Sequence, residues 1–182
     1  MHVVAFAAST SSRSINKQLI RYAATLLTGG LLNDDVTVEI LDIGDYEMPI
    51  YSVDRQEADG IPEPAHRFHG HIAGADALVI SFAEHNGYYT AAYKNLYDWT
   101  SRIDRKVYQE KAVVMLATSP GGRGGTGVLE RAITAAERQG ADVRAGLSVP
   151  HFNDNFDIEA GRIVNEEIDA AFRQALSTLA EN

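Results

Sequence analysis

Short apolar runs alternate with stretches of helical periodicity along the whole chain. The first run, Val3-Val4-Ala5-Phe6-Ala7, holds β-branched and aromatic residues and reads as a buried strand. Behind it Ile15, Leu19, Ile20, Ala23, Leu26 and Leu27 recur at three- and four-residue steps, which is one face of a helix. Gly29-Gly30 and Asn33-Asp34-Asp35 predict turns ahead of a second strand, Val36 to Leu41. A loop with Gly44, Pro49 and Gly60 leads to Pro62-Glu63-Pro64, where proline in a first turn and an acid at the positive end predict a helix running to about Ala73. The third strand is Ala77 to Phe82, followed by a helix through Tyr93, Leu96, Tyr97 and Ile103. The fourth is Ala112 to Thr118, with a helix from about Val128 to Gln139. The fifth spans Val143 to Val149, followed by an irregular Asn/Asp-rich stretch and an amphipathic helix using Ile168, Phe172, Leu176 and Leu179. Strands separated by helices in this way predict an α/β fold with a parallel sheet. Ligands of such sheets sit over the carboxyl ends of the strands, where the strand order switches. No linker, repeat or low-complexity segment interrupts the pattern, so residues 1–182 read as a single domain.

Composition narrows the function classes. The 45% hydrophobic and 23% charged content is that of a soluble globular protein. No apolar run approaches the roughly 18 to 20 residues that span a bilayer, and the N-terminus lacks the basic-then-apolar order of a secretory signal. There are no cysteines, which excludes disulfides and thiol chemistry and fits a reducing cytoplasm. Any electron transfer therefore needs a bound cofactor. With 25 acids against 16 bases and a net charge of −9, neither nucleic acid nor an anionic membrane surface is an expected partner.

Three loops at one edge of the predicted sheet carry the unusual residues. The first, Ser9 to Asn16, joins a strand to a helix start, where backbone N–H groups lack partners and the dipole favours an anion. It offers the hydroxyls of Ser9, Thr10, Ser11, Ser12 and Ser14, and Arg13, Lys17 and Arg21 all precede the first acid, Asp34. Two readings stand: a phosphate seat, or a serine-rich helix cap. The third loop, Ser119-Pro120-Gly121-Gly122-Arg123-Gly124-Gly125-Thr126-Gly127, satisfies G-x-G-x-x-G literally. It lacks the acid that a dinucleotide site places on the next strand, and Val128 stands where a Walker loop has lysine. What it supplies is main chain without side-chain bulk. The middle loop runs from Ala83 to Thr90. Its Glu84 and His85 suggest acid/base chemistry only weakly, since neighbours on extended chain point apart, and Asn86-Gly87 is a turn former.

The stretch Glu84, Asn86, Gly87, Lys94, Asn95, Asp98 and Trp99 resembles the P-E-Y-N-G-S…L-K-N-x-x-D-W run of the NAD(P)H-dependent FMN reductases. Ser9, Ser14 and Asn16 are similar to that family's G-S-x-R-x-x-S-x-N loop. Met48-Pro49-Ile50-Tyr51 with Asp54, the Ser119-Pro120-Gly121-Gly122 turn and Phe152 to Gly161 extend the likeness over nearly the whole chain. The resemblance implies a flavodoxin-like doubly wound fold, a five-stranded parallel sheet in the order 2-1-3-4-5 with helices on both faces. It implies an FMN phosphate on Ser9, Ser11, Ser14, Ile15 and Asn16, and an isoalloxazine against the backbone of Glu84, His85, Asn86 and Gly87 and of Ser119, Pro120, Gly121 and Gly122. NAD(P)H would give hydride to the flavin, and a quinone, azo compound, free flavin or metal ion would then take the electrons. The protein contributes position and electrostatics, so no catalytic side chain is assigned. A homodimer or dimer of dimers is also implied, with Tyr93, Tyr97 and Trp99 as interface anchors or as core. Three departures bear on the pocket: Ser11 replaces an arginine, which passes the phosphate charge to Arg13; Ala83 replaces proline; His85 and Tyr88 replace Tyr and Ser. Arg13 and Arg123 are the candidates for a nicotinamide 2′-phosphate.

Two other readings compete. An FMN-binding electron carrier reduced by a protein partner would share the cradle, and a non-catalytic module would bind a phosphate ligand without flavin. His66, His69 and His71 do not make a metal set, because His71 leaves the helical face of the other two and no acid or Cys completes it. No G-x-S-x-G marks a serine hydrolase.

Overall fold

Every residue of β1 (His2–Ala7) after the first is buried, as a strand covered on both faces must be. It lies between β2 and β3, inside the sheet. The computed structural model describes residues 1–33 and 35–181, so the turn expected at Asn33-Asp34-Asp35 centres on a residue outside those described. After β1 come α1 (Ile15–Thr28), β2 (Thr37–Asp42), α2 (Val53–Asp59), α3 (Glu63–Gly74), β3 (Ala77–Phe82), α4 (Ala91–Thr100), β4 (Lys111–Thr118), α5 (Thr126–Ala136) and β5 (Ala141–Val149). A short helix α6 (Phe152–Asn155), the two-residue strands β6 (Phe156–Asp157) and β7 (Arg162–Ile163), and α7 (Glu166–Ser177) complete the fold.

The sheet order is β2-β1-β3-β4-β5 and all neighbours are parallel. Side chains alternate between its faces. Val4, Phe6, Leu78, Ile80, Val113 and Met115 pack under α3, α4 and α5, while Val3, Ala5, Val79, Val114 and Leu116 pack under α1 and α7. Each fully buried Val, Leu, Ile, Phe or Met among them contributes roughly 1.5 to 3 kcal/mol. The chain leaves β1 outward to β2 and then crosses back to β3. The order therefore reverses between β1 and β3, and the loops that follow them diverge around a crevice.

The expected strands and their adjoining helices are present with ends displaced by a few residues. Three features were not anticipated. α2 folds within the segment read as loop, where the Ser52 hydroxyl accepts from Arg55 N and caps the start. The irregular stretch after β5 contains α6 and the antiparallel β6–β7 pair. The helix read as reaching Gln139 passes into a 3₁₀ turn over Glu137–Gln139.

Candidate functional site

At the end of β1, Ala8 N donates to Ser81 O and Ser9 N donates back to Ala7 O, which turns the chain sharply over the sheet edge. The Ser9 hydroxyl then accepts from Ser11 N at 3.3 Å and the Ser11 hydroxyl from Arg13 N at 3.3 Å, two successive local turns. Ser14 stands at the helix N-cap, yet its hydroxyl caps nothing and remains accessible. The N–H groups of Ile15 and Asn16 likewise have no acceptor among the described residues. Unpaired donors at a helix head, with the dipole behind them, form an anion seat. The structure does not bear out the serine-cap reading for Ser14.

The loop's charge is distributed differently from the sequence reading. Lys17 turns away and binds Asp42 at the end of β2, with Nζ 2.6 Å from Oδ2. Arg21 also acts on Asp42. Burial raises the Asp42 carboxyl, but Lys17, the Gly44 N–H and Arg21 outweigh it and hold the group below its ordinary value. Of the three bases, only Arg13 lines the cradle.

Asn16 is buried, and its side chain makes three hydrogen bonds. Oδ1 accepts from the Ser81 hydroxyl at 2.8 Å and from Thr118 N at 3.2 Å, while Nδ2 donates to Thr118 O at 3.4 Å. Its amide thus ties the head of α1 to the ends of β3 and β4. Its main-chain N–H and one Nδ2 hydrogen have no acceptor among the described residues. Ser81 and Thr118, missed as site residues, are legible as polar positions at the ends of apolar strands.

The middle loop is a two-residue hairpin. His85 and Tyr88 exchange backbone hydrogen bonds of 2.9 and 3.0 Å, and Asn86 and Gly87 between them have φ of 53° and 80°. Both central residues are left-handed, as a type I′ turn requires. Asn86 and Gly87 form the tip, outside the cradle wall, whereas Ala83, Glu84 and His85 line it. Below, Tyr89 packs on Phe82 and Tyr93, and burial pushes its phenol up to about 12.

In the third loop the carbonyls turn backward. Ser119 O accepts from Phe152 N and Gly121 O from His151 N, each at 3.1 Å. The N–H groups of Gly121 and Gly122 have no acceptor among the described residues. Gly124, at φ 56°, could not carry a side chain, since a Cβ would lie 2.8 Å from Pro150 N. Ser119 and Pro120 line the cradle, and Gly121 and Gly122 sit beyond its wall, with Gly122 against the His151 ring.

The three loops together enclose a cavity of about 250 Å³, walled by Ser9, Ser11, Arg13, Ser14, Ile15 and Asn16 on one side and by Glu84, His85, Ser119 and Pro120 on the other. It adjoins a second cavity of about 340 Å³ that shares Ser9, Ser11 and His85. That one leads past Thr10, Ala91 and Ala92 to a third, of about 510 Å³, bounded by Met48 and Ile50. The Met48–Tyr51 wall is clamped from α4. Asn95 donates to Met48 O and Pro49 O at 3.1 Å and accepts from Tyr51 N at 2.9 Å, and Trp99 Nε1 donates to Pro49 O at 2.7 Å. Lys94 and Asp98 pair along the helix. Tyr93 and Trp99 are core residues, 3% and 1% exposed, so neither is an interface anchor; Tyr97 is half-buried. His71 pairs with Glu39 on β2, Nδ1 to Oε1 3.0 Å, away from this edge. The seat and the glycine-rich main chain beside it fit a flat ligand with a phosphate tail.

Residues 1–154 match the family described as NADPH-dependent FMN reductase. A quinone reductase of Escherichia coli (strain K12) is 32% identical over 79 residues, covering 43% of this chain and 42% of that one. Among solved structures, a flavoenzyme NAD(P)H:(acceptor) oxidoreductase from Paracoccus denitrificans superposes with a TM-score of 0.75 at 22% identity, over 99% of this chain and 95% of that one. A putative quinone reductase from Klebsiella pneumoniae gives 0.70 at 16% identity, over 100% and 86%. These structural likenesses establish the flavodoxin-like fold. The family match spans most of the chain, and with it the chain belongs to the NADPH-dependent FMN reductase family, oxidoreductases that take FMN as cofactor and NAD(P)H as reductant.

Proposed function

We propose that the cradle holds FMN and that the protein passes electrons from NAD(P)H to a small acceptor of the quinone, azo, flavin or metal-ion kind. The observation that carries the reading is the set of unpaired donors, the Ile15 and Asn16 N–H groups and the Ser14 hydroxyl, facing a cavity closed by all three loops. Ser9, Ser11, Ser14 and the head of α1 take the phosphate, with Arg13 supplying the positive charge. The main chain of Glu84 to Gly87 and of Ser119 to Gly122 floors the ring. The bound flavin supplies the two-electron chemistry. The N–H groups of Gly121 and Gly122, which have no acceptor among the described residues, would favour negative charge on a flavin ring bound beside them. Asn95 and Trp99 keep the Met48–Tyr51 wall in place so that water is kept from one side of the trough. We place the protein in the cytoplasm as a homodimer or dimer of dimers, on the family likeness.

A visible spectrum of the purified protein before and after FMN addition tests the cradle, and anaerobic NADH or NADPH tests the reaction. Flavin uptake followed by bleaching with nucleotide alone is the expected result. Uptake without bleaching would favour an electron carrier, and no uptake would overturn the assignment.

A further inference from the structure

Among the described residues, His85 is the only one of the six histidines that lines a compartment of the trough. It stands where two compartments meet, the cradle of about 250 Å³ and the cavity of about 340 Å³ beside it, and in both it is accompanied by Ser9 and Ser11. Main chain sets its position. The paired bonds with Tyr88, at 2.9 and 3.0 Å, and the positive-φ turn over Asn86 and Gly87 hold it at the wall opposite Arg13. His2 and His71 are engaged with Glu39, and the His151 ring packs on Gly122.

The charges in the cradle give this placement its meaning. Its lining carries two permanently charged side chains near neutral pH, Arg13 and Glu84, and they are of opposite sign. Lys17 is held by Asp42, with Nζ 2.6 Å from Oδ2. Without His85 the formal charge of the lining is therefore zero, in a chain of net charge −9. A phosphate monoester brings about −1.5 to −2. The helix head and Arg13 attract it while Glu84 opposes it, and a protonated imidazole turns the balance positive. The other groups around His85 do not titrate in that range: the first loop presents the hydroxyls of Ser9, Thr10 and Ser11, the start of α4 presents Thr90, Ala91 and Ala92, and the third loop presents Ser119 and Pro120. Tyr88 has the Arg131 guanidinium 4.5 Å from its ring centre, and neither residue lines the two cavities. We propose that the His85 imidazolium is the second cation of the phosphate seat, so that the protein holds FMN more tightly when His85 is charged and loosens it as pH rises. The inference rests on the proposed function, which puts the phosphate at the head of α1. It gives a side-chain role to a residue assigned there for its main chain.

Fluorescence titration of the full chain with FMN and with riboflavin, at about pH 6 and about pH 8, tests it on either side of the range in which histidine changes charge. The wild type is compared with His85→Asn and His85→Gln, which keep a polar side chain that cannot be charged, at an exposed position whose hairpin bonds are made by main chain. The ionisation of the phosphate itself is common to all three proteins and cancels in the ratio of their dissociation constants. At the lower pH both variants should bind FMN about tenfold more weakly than the wild type, the scale of one charge-assisted contact, and at the higher pH about equally. Riboflavin, which lacks the phosphate, should bind all three alike at both. A weakening toward FMN that is the same at both pH values, or one that riboflavin shares in full, would overturn the proposal and leave the cradle as the flavin site. Absence of FMN uptake by the wild type at either pH would instead strike the proposed function, and this inference with it.

Discussion

Asn16 and Ser14 stand two residues apart and do opposite things. The Asn16 amide satisfies the Thr118 N–H and the Ser81 hydroxyl in the interior. Asn16→Ala strands both, and at about 1 to 3 kcal/mol per unsatisfied buried group it should cost the fold roughly 2 to 6 kcal/mol, read as a lowered urea midpoint. Ser14 makes no capping bond. Ser14→Ala should leave the midpoint within about 0.5 kcal/mol while weakening FMN binding about tenfold, as a lost charge-assisted contact does. Flavin titration of the variant checks it; unchanged affinity would remove Ser14 from the seat. At Asp42, Lys17 and the other donors overcome burial and depress the carboxyl below 3.8. Such a group adds stability above its unfolded value, and the gain is lost as pH falls through the lower folded value. Acid titration of Asp42→Asn should therefore show a shallower loss of stability than the wild type below that value.

Between elements, α4 acts as a clamp on the segment that precedes α2. Three bonds from Asn95 and one from Trp99 hold backbone that has no ladder partner of its own. This gives the K-N-x-x-D-W likeness a physical meaning: its Asn and Trp serve the wall of the trough, and its Lys and Asp staple the helix that carries them. Asn95→Ala should open Met48–Tyr51 to proteolysis well before global unfolding, with cleavage mapped by mass spectrometry. If cleavage appears only with global unfolding, the clamp has no local role. The hairpin tip works by itself: Asn86 and Gly87 fit positive φ, so their part is to turn the chain and present His85 and Tyr88 on either side.

Across the whole molecule, the core beneath α4 and β4 buries the phenols of Tyr93 and Tyr108 against each other. Burial is the main cause that raises both above the ordinary 10.0, and in the folded protein they stay neutral. Their contribution is fully present below that value and is lost as pH rises from it through the raised folded values. The urea midpoint should fall steeply above pH 10, and less steeply in Tyr108→Phe, which keeps the ring and removes one ionisable group. No helix among the described residues is long and apolar enough to cross a membrane.

The alternation of apolar runs and helical faces already specified the layers, because burial on both faces of a central strand admits few residue types. Ser9 to Asn16 was legible as a helix head for the same local reason. Local pattern could not say where a long polar side chain goes. Lys17 reads as part of a cationic loop until the sheet brings Asp42 beside it, and the structural tie made by the Asn16 amide appears only when Ser81 and Thr118 arrive from strands far along the chain. The contact of Arg131 with Tyr88 was hidden likewise, since it exists only once β3 and β4 lie side by side. Periodicity along the chain decided what is buried; which polar groups meet was decided by contacts between distant segments, which only the folded sheet creates.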